Sequence, residues 1–265
     1  SGAPLGAGGG RRGSRLTRRL SGRAFSLARP RSARWPWLAP ACLGVAGLAA
    51  IIYFGWRSSS ARVLRLRQYL SDPAEHADWQ IHAGARCGAA PFLLPTDGYI
   101  GFAWGDSFRP GHAHQGIDIF GPGGLGETPV LAAYDGYLTR LPDWRSAVIL
   151  RVPNDPLQSG RQIWMYYTHM ADAQGHSYID EAFPPGTSEK FVRAGTPLGY
   201  QGNYSADPDN PTGLHLHFSI VRDDGNGRFR NELEIRNTLD PSPYLGIEVN
   251  ADRLGDGLAV CEEEG

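Results

Sequence analysis

Three short stretches of this chain carry imidazoles and a carboxylate at spacings that suit metal chemistry. The stretch TGLHLHFSI, residues 212–220, sets His215 and His217 two residues apart. In an extended strand residues i and i+2 share a face. Both imidazoles then look to one side, while Leu214, Leu216 and Phe218 look to the other and fix the strand in a core. HAHQGIDIF, residues 112–120, holds His114 and Asp118 four apart. If extended, they also share a face, with side-chain-free Gly116 between them and Ile117 and Ile119 opposite. His112 has the same parity as His114, so the pattern alone does not choose between them. WMYYTHM, residues 164–170, offers His169 on a strand, in phase with Tyr167, Met165 and Ile163. Each stretch alone has a plainer reading: an exposed polar face for the histidine pair, a satisfied structural residue for His169.

Two imidazoles and a carboxylate can make a three-ligand site, and a catalytic zinc keeps its fourth position for water. Such an ion acidifies its water and polarises a scissile carbonyl. An imidazole beside it, with a pKa near neutrality, can take the water's proton and hand it to a leaving amine. No H-E-x-x-H occurs, which excludes a helical zinc-protease site of that motif.

Such residues need a scaffold of strands and tight turns. The 35 glycines and 20 prolines favour many short elements over long helices. GYIGFAWGD, PVLAAYDGYLTRL, SAVILRVP, TPLGYQG and LHLHFSIV are short β-rich runs, separated by turn signals such as GPGGLGET, PNDPLQSG and DDGNG. No long 3.6-residue period and no internal repeat is visible. The pattern predicts an all-β, antiparallel domain over residues 93–247 and a polar tail over 248–265.

Charge divides the molecule. All 27 acidic residues lie at or beyond Asp72, and residues 1–71 hold thirteen arginines and no lysine. The head carries about +13 and the body about −14. An acidic body argues against nucleic acid as partner, because phosphate binding needs a basic face. Within the head, WLAPACLGVAGLAAIIYFGW, residues 37–56, is uncharged and mostly apolar, and spans about 30 Å as a helix. Trp35, Trp37, Tyr53 and Trp56 lie at its ends, as interfacial aromatics do. We expect a disordered basic tail (1–34), a single transmembrane helix (35–57) and a connector (58–92) holding a short helix that ends near Pro73. The arginine bias places the N-terminus in the cytoplasm and the body outside. A cleaved signal peptide, with SSA at 59–61, and an organelle-targeting segment are the alternatives. The chain begins at Ser1, which leaves its natural start open. Cys42 falls in the apolar run, whereas Cys87 and Cys261 bracket the body and can form one disulfide in an exported domain. No feature fixes an oligomeric state.

Taken in order, His114–Asp118, His169 after a tyrosine-rich strand, and His215–His217 resemble the lysostaphin-like, or LytM-type, zinc metallopeptidases, which cut peptide bonds in peptidoglycan. GFAWGD, TPVLAAYDGYL, YYTHM and VRAGTPLGYQGN look like that family's framework, so the resemblance covers roughly residues 94–245. It implies an antiparallel sandwich of duplicated-hybrid-motif type. It implies one Zn2+ per chain on His114, Asp118 and His217, with His169 and His215 as the catalytic histidines and His112 demoted to a groove or surface residue. It implies peptidoglycan peptides as substrate, or, in the non-catalytic members, regulation of a separate wall hydrolase. The retention of all five polar positions favours the enzyme, and a closed structural zinc site would need a fourth protein ligand. Two departures stand out. Leu214 replaces the usual proline before H-x-H, and the loops after His169 and before His215 look longer than usual. Such loops wall the family's substrate groove. Asp172, Asp180, Glu181, Asp207 and Asp209 on them are candidates to select cationic groups, beside the plainer reading of solvated loop charge.

Overall fold

Among the described residues, short apolar runs between glycine- and proline-rich turns become ten strands. They are β1 (Tyr99–Phe102), β2 (Ile117–Phe120), β3 (Pro129–Leu131), β4 (Gly136–Thr139), β5 (Val148–Val152), β6 (Ile163–Thr168), β7 (Lys190–Val192), β8 (Pro197–Tyr200), β9 (Leu216–Arg222) and β10 (Thr238–Leu239). The computed structural model describes residues 61–107 and 111–261. The basic tail and the transmembrane helix expected before residue 58 lie outside them. Among the described residues no helix is long and apolar enough to cross a membrane.

Pairing between these strands is antiparallel. The main sheet runs β1-β2-β9-β6-β5-β4-β7, with β10 on the end of β9, and β3 and β8 form a second, two-stranded sheet. β9 lies between β2 and β6, and this register matters most: His217 faces Asp118 on one side and Thr168 on the other. One face of β9 carries Leu216, Phe218 and Ile220 into the core, where none is exposed. Phe218 meets Tyr167 of β6 at 5.1 Å between ring centroids. Each such buried side chain contributes roughly 1.5–3 kcal/mol. The alternation of LHLHFSIV thus does what it predicts. Leu214, outside the strand, is only half buried.

Residues 61–92, expected as a connector, pack into the body instead. Helix α1 (Ala61–Ser71) buries Arg62, Leu66 and Tyr69, whose spacing of four and three makes one helical stripe. Leu66 and Tyr69 pack with Tyr99 and Phe120 of β1 and β2. Downstream, Ile81, Cys87 and Phe92 join the main core. The C-terminal segment is likewise less of a tail than its polar composition suggests. After a short helix α2 (Ser242–Leu245), Val249 is fully buried, and helix α3 (Ala251–Leu254) is capped by the Asn250 side chain. Cys87 and Cys261 form the disulfide, with Cα atoms 5.3 Å apart.

Candidate metal centre and catalytic cleft

Strand geometry brings the predicted residues together. Asp118 comes from β2 and His217 from β9, directly paired in register. His114 lies three residues before β2 in irregular backbone, not in an extended strand, yet it reaches the same face. Gly116 is needed for a different reason than an open ligand face: a Cβ there would strike the Phe218 carbonyl of β9. Ile117 and Ile119 are fully buried on the opposite side, as their parity predicts.

Three ligand atoms converge. His114 Nε2 is 3.1 Å from Asp118 Oδ1 and 3.1 Å from His217 Nδ1, and His217 Nδ1 is 2.8 Å from Asp118 Oδ1. Tetrahedral ligands about 2.0–2.2 Å from one zinc stand roughly 3.3 Å apart, so this triangle fits the ion after opening by a few tenths of an ångström. The tautomers suit as well. His114 Nδ1 donates to the Ala103 carbonyl at 3.0 Å, which leaves the Nε2 lone pair bare toward the site. The donor set of two imidazoles and a carboxylate suits zinc. All three residues are buried, with exposures of 4%, 8% and 7%.

Beside this triangle stand the two further histidines. His215 Nδ1 donates to the Gly213 carbonyl at 2.7 Å, and its ring stacks on Phe120. Its bare Nε2 lies 3.6 Å from Asp118 Oδ1. His169 Nδ1 donates to the Tyr204 carbonyl at 2.6 Å, and its ring centroid lies 4.5 Å from that of His215. The expected strand phase of His169 is corrected here. Tyr167, Met165 and Ile163 all point into the core and are at most 1% exposed. A histidine in phase with them would be buried in hydrocarbon. β6 instead ends at Thr168, and His169 adopts a left-handed backbone, φ 73°, which turns its ring into the site.

Around the five residues lies an open cleft of about 630 Å³, walled by Trp144, Arg145, Tyr166, Tyr204 and Leu233. Buried Arg140 anchors the Trp144 wall to the loop after β6, donating to the carbonyls of Trp144 and Phe183 and to Ser177 Oγ. None of the loop acids Asp172, Asp180, Glu181, Asp207 or Asp209 lines the cleft; Asp143 and Glu232 do. Asp172 is turned to His176, 2.7 Å away, and Asp180 to the Ala182 amide. His112 does not join the ligand cluster. Sequence reasoning missed Glu232. It sits in a polar stretch, NGRFRNELEIRN, with no periodicity to mark one acid among its neighbours.

The electrostatics follow from burial. Burial pushes the Asp118 carboxyl up, but the imidazoles of His215 and His114 outweigh it and hold it well below the usual range. Burial, then repulsion from His215 and His217, pushes His169 down to about 3. Burial also lowers His215, against the pull of Asp118. His217 moves the other way: burial opposes its charge, but Asp118 and then Glu232 raise it. Glu232 itself is raised, by burial first, with His217 pulling against that.

No family model matches the chain, and no curated protein matches it. Solved structures are similar to it. Csd3 of Helicobacter pylori shares 20% identity over 53% of this chain and 33% of its own, with a TM-score of 0.33. The catalytic domain of the prophage-encoded M23 protein EnpA of Enterococcus faecalis shares 23% over 56% of this chain and 95% of its own, TM-score 0.33. A protein of Ruminococcus gnavus, named as the glycyl-glycine endopeptidase LytM, shares 20% over 55% of this chain and 48% of its own, TM-score 0.32. The chain therefore spans a third of the first of these proteins and about half of the third.

Proposed function

We propose that this chain is a zinc metalloendopeptidase that hydrolyses peptide bonds of peptidoglycan. The observation that carries the reading is the buried triangle of His114, Asp118 and His217 with two further imidazoles beside it in an open cleft. A zinc ion on those three ligands would supply an acidified water and polarise the scissile carbonyl. His215 Nε2, left bare by the bond from Nδ1 to Gly213, is the general base. It takes the attacking water's proton and returns it to the leaving amine. His169 Nε2 is bare for the same reason, through Tyr204, and so accepts a hydrogen bond from that water rather than donating one to an oxyanion. Burial keeps both rings neutral, as an acceptor requires.

Peptidoglycan as substrate rests on the resemblance of the five-residue pattern to LytM-type enzymes, and it places the body outside the cytoplasmic membrane. Two features support that location. The apolar run 37–56 follows an arginine-rich head, which suits a single-pass anchor with a cytoplasmic N-terminus. The Cys87–Cys261 disulfide suits an oxidising compartment.

The test is metal content together with the release of new amino groups from purified peptidoglycan. We expect about one zinc per chain and amine release that a chelator abolishes and zinc restores. One zinc with no cleavage of several wall types would favour a regulator of another hydrolase. Failure to bind zinc would overturn the site.

A further inference from the structure

We propose that Glu232 is a positioning residue for the metal ligand His217, its carboxylate accepting the Nε2 proton while Nδ1 faces the ion. The proposal rests on the metal-centre reading above. An imidazole that ligates through Nδ1 keeps its one proton on Nε2, and that proton needs an acceptor. His217 Nε2 is buried without a hydrogen-bond partner, and so is Glu232 Oε2. The two atoms face each other at 3.8 Å. A buried donor left without an acceptor is destabilising, and a buried carboxylate without a donor is more so. Two such atoms side by side therefore account for each other. A hydrogen bond between them requires that separation to close to about 3 Å.

The loop that carries Glu232 is held for this purpose at several points. Gln115 Nε2, next to His114 in sequence, donates to the Leu233 carbonyl at 2.7 Å. Asn237 Nδ2 donates to the Asn231 carbonyl at 2.9 Å. The side chain is only 18% exposed, with its unpaired oxygen turned to His217 and not to solvent.

The test titrates zinc against a competing chelator into the full chain freed of metal. It compares wild type, Glu232→Gln and Glu232→Ala, with thermal unfolding of the metal-free forms and KM for a wall peptide as companion readouts. Loss of such an outer hydrogen bond weakens metal binding by about 10–100-fold. We expect that loss for Glu232→Ala, a smaller one for Glu232→Gln, which keeps an acceptor oxygen, and unchanged KM. Should the alanine variant not fold, the glutamine variant reads the same effect at about threefold or more. Zinc affinity within twofold of wild type in the folded variants would overturn the proposal. So would a raised KM at unchanged zinc affinity, which would make Glu232 a substrate contact. Zinc binding with the expected pattern but no peptide cleavage would sink only the activity. Absence of zinc binding by the wild type would sink the metal centre and this role together.

Discussion

His169 holds its ring in the site through a left-handed backbone that costs a non-glycine residue about 1–3 kcal/mol. Histidine tolerates that region better than most residues, and the Tyr204 carbonyl fixes the ring once it is turned. The residue types and order of His114, Asp118, His169, His215 and His217 were legible in the sequence. The orientation of His169 was not, because parity along β6 points it into the core. Glu232 was not legible either, because only the fold brings residue 232 beside residue 217. His169 and His215 have depressed pKa values, so their neutral forms persist as pH falls and are lost only below the ordinary histidine value. With zinc saturating, the acidic limb of kcat/KM is therefore expected below about pH 6.5. A limb at or above that pH would show that these rings titrate normally. His169→Ala is expected to keep its zinc and lose about 10²–10³ in kcat. Metal analysis and steady-state kinetics on one sample check both halves.

At the scale of elements, the site exists because β9 is clamped between β2 and β6 and because two loops close over its start. Gly202 is the tightest point of that closure. Its carbonyl accepts from the His215 amide at 3.2 Å, and a Cβ on it would strike the carbonyls of His169 and Ala171. Gly202→Ala is therefore expected to push the His169 ring away from that of His215. We expect kcat to fall at least tenfold with zinc stoichiometry retained, because none of the three ligands lies on these segments. Activity at the wild-type level would mean that the 169–171 loop is free to shift. The strands themselves were readable from alternation, since Leu216, Phe218 and Ile220 all go where a period of two sends them. The flanks were not. The stripe of Arg62, Leu66 and Tyr69 spans only three positions in a short, arginine-rich helix, too few to announce a packing face. The burial of Val249 is likewise hidden in a polar stretch.

At the scale of the body, the Cys87–Cys261 bridge ties its two ends together, and a polar knot at Asp240 folds the C-terminal segment on itself. Its carboxylate accepts from the Ser242 amide and hydroxyl, from Asn250 Nδ2 and from Arg253. Partial burial raises its pKa, but the bonds from Ser242, Asn250 and Arg253 outweigh that and lower it. A carboxylate with a depressed folded pKa contributes stability above its unfolded value, near 3.9, and loses it as pH falls through the folded one. Asp240→Asn should lower the melting temperature at neutral pH, and the gap from wild type should close as pH drops below about 4. A gap that does not change with pH would mean that Asp240 acts through packing alone.

If one buried metal triangle and one separate base make this chain a peptidase, metal binding and hydrolysis must be separable by substitution. The most direct measurement compares His215→Ala and His217→Ala with wild type, counting zinc and amine release from peptidoglycan in the same samples. His215→Ala is expected to keep about one zinc and lose at least about 10² in rate, as removal of a general base does. His217→Ala is expected to lose both metal and activity. Wild-type rates in His215→Ala, or full zinc in His217→Ala, would contradict that reading.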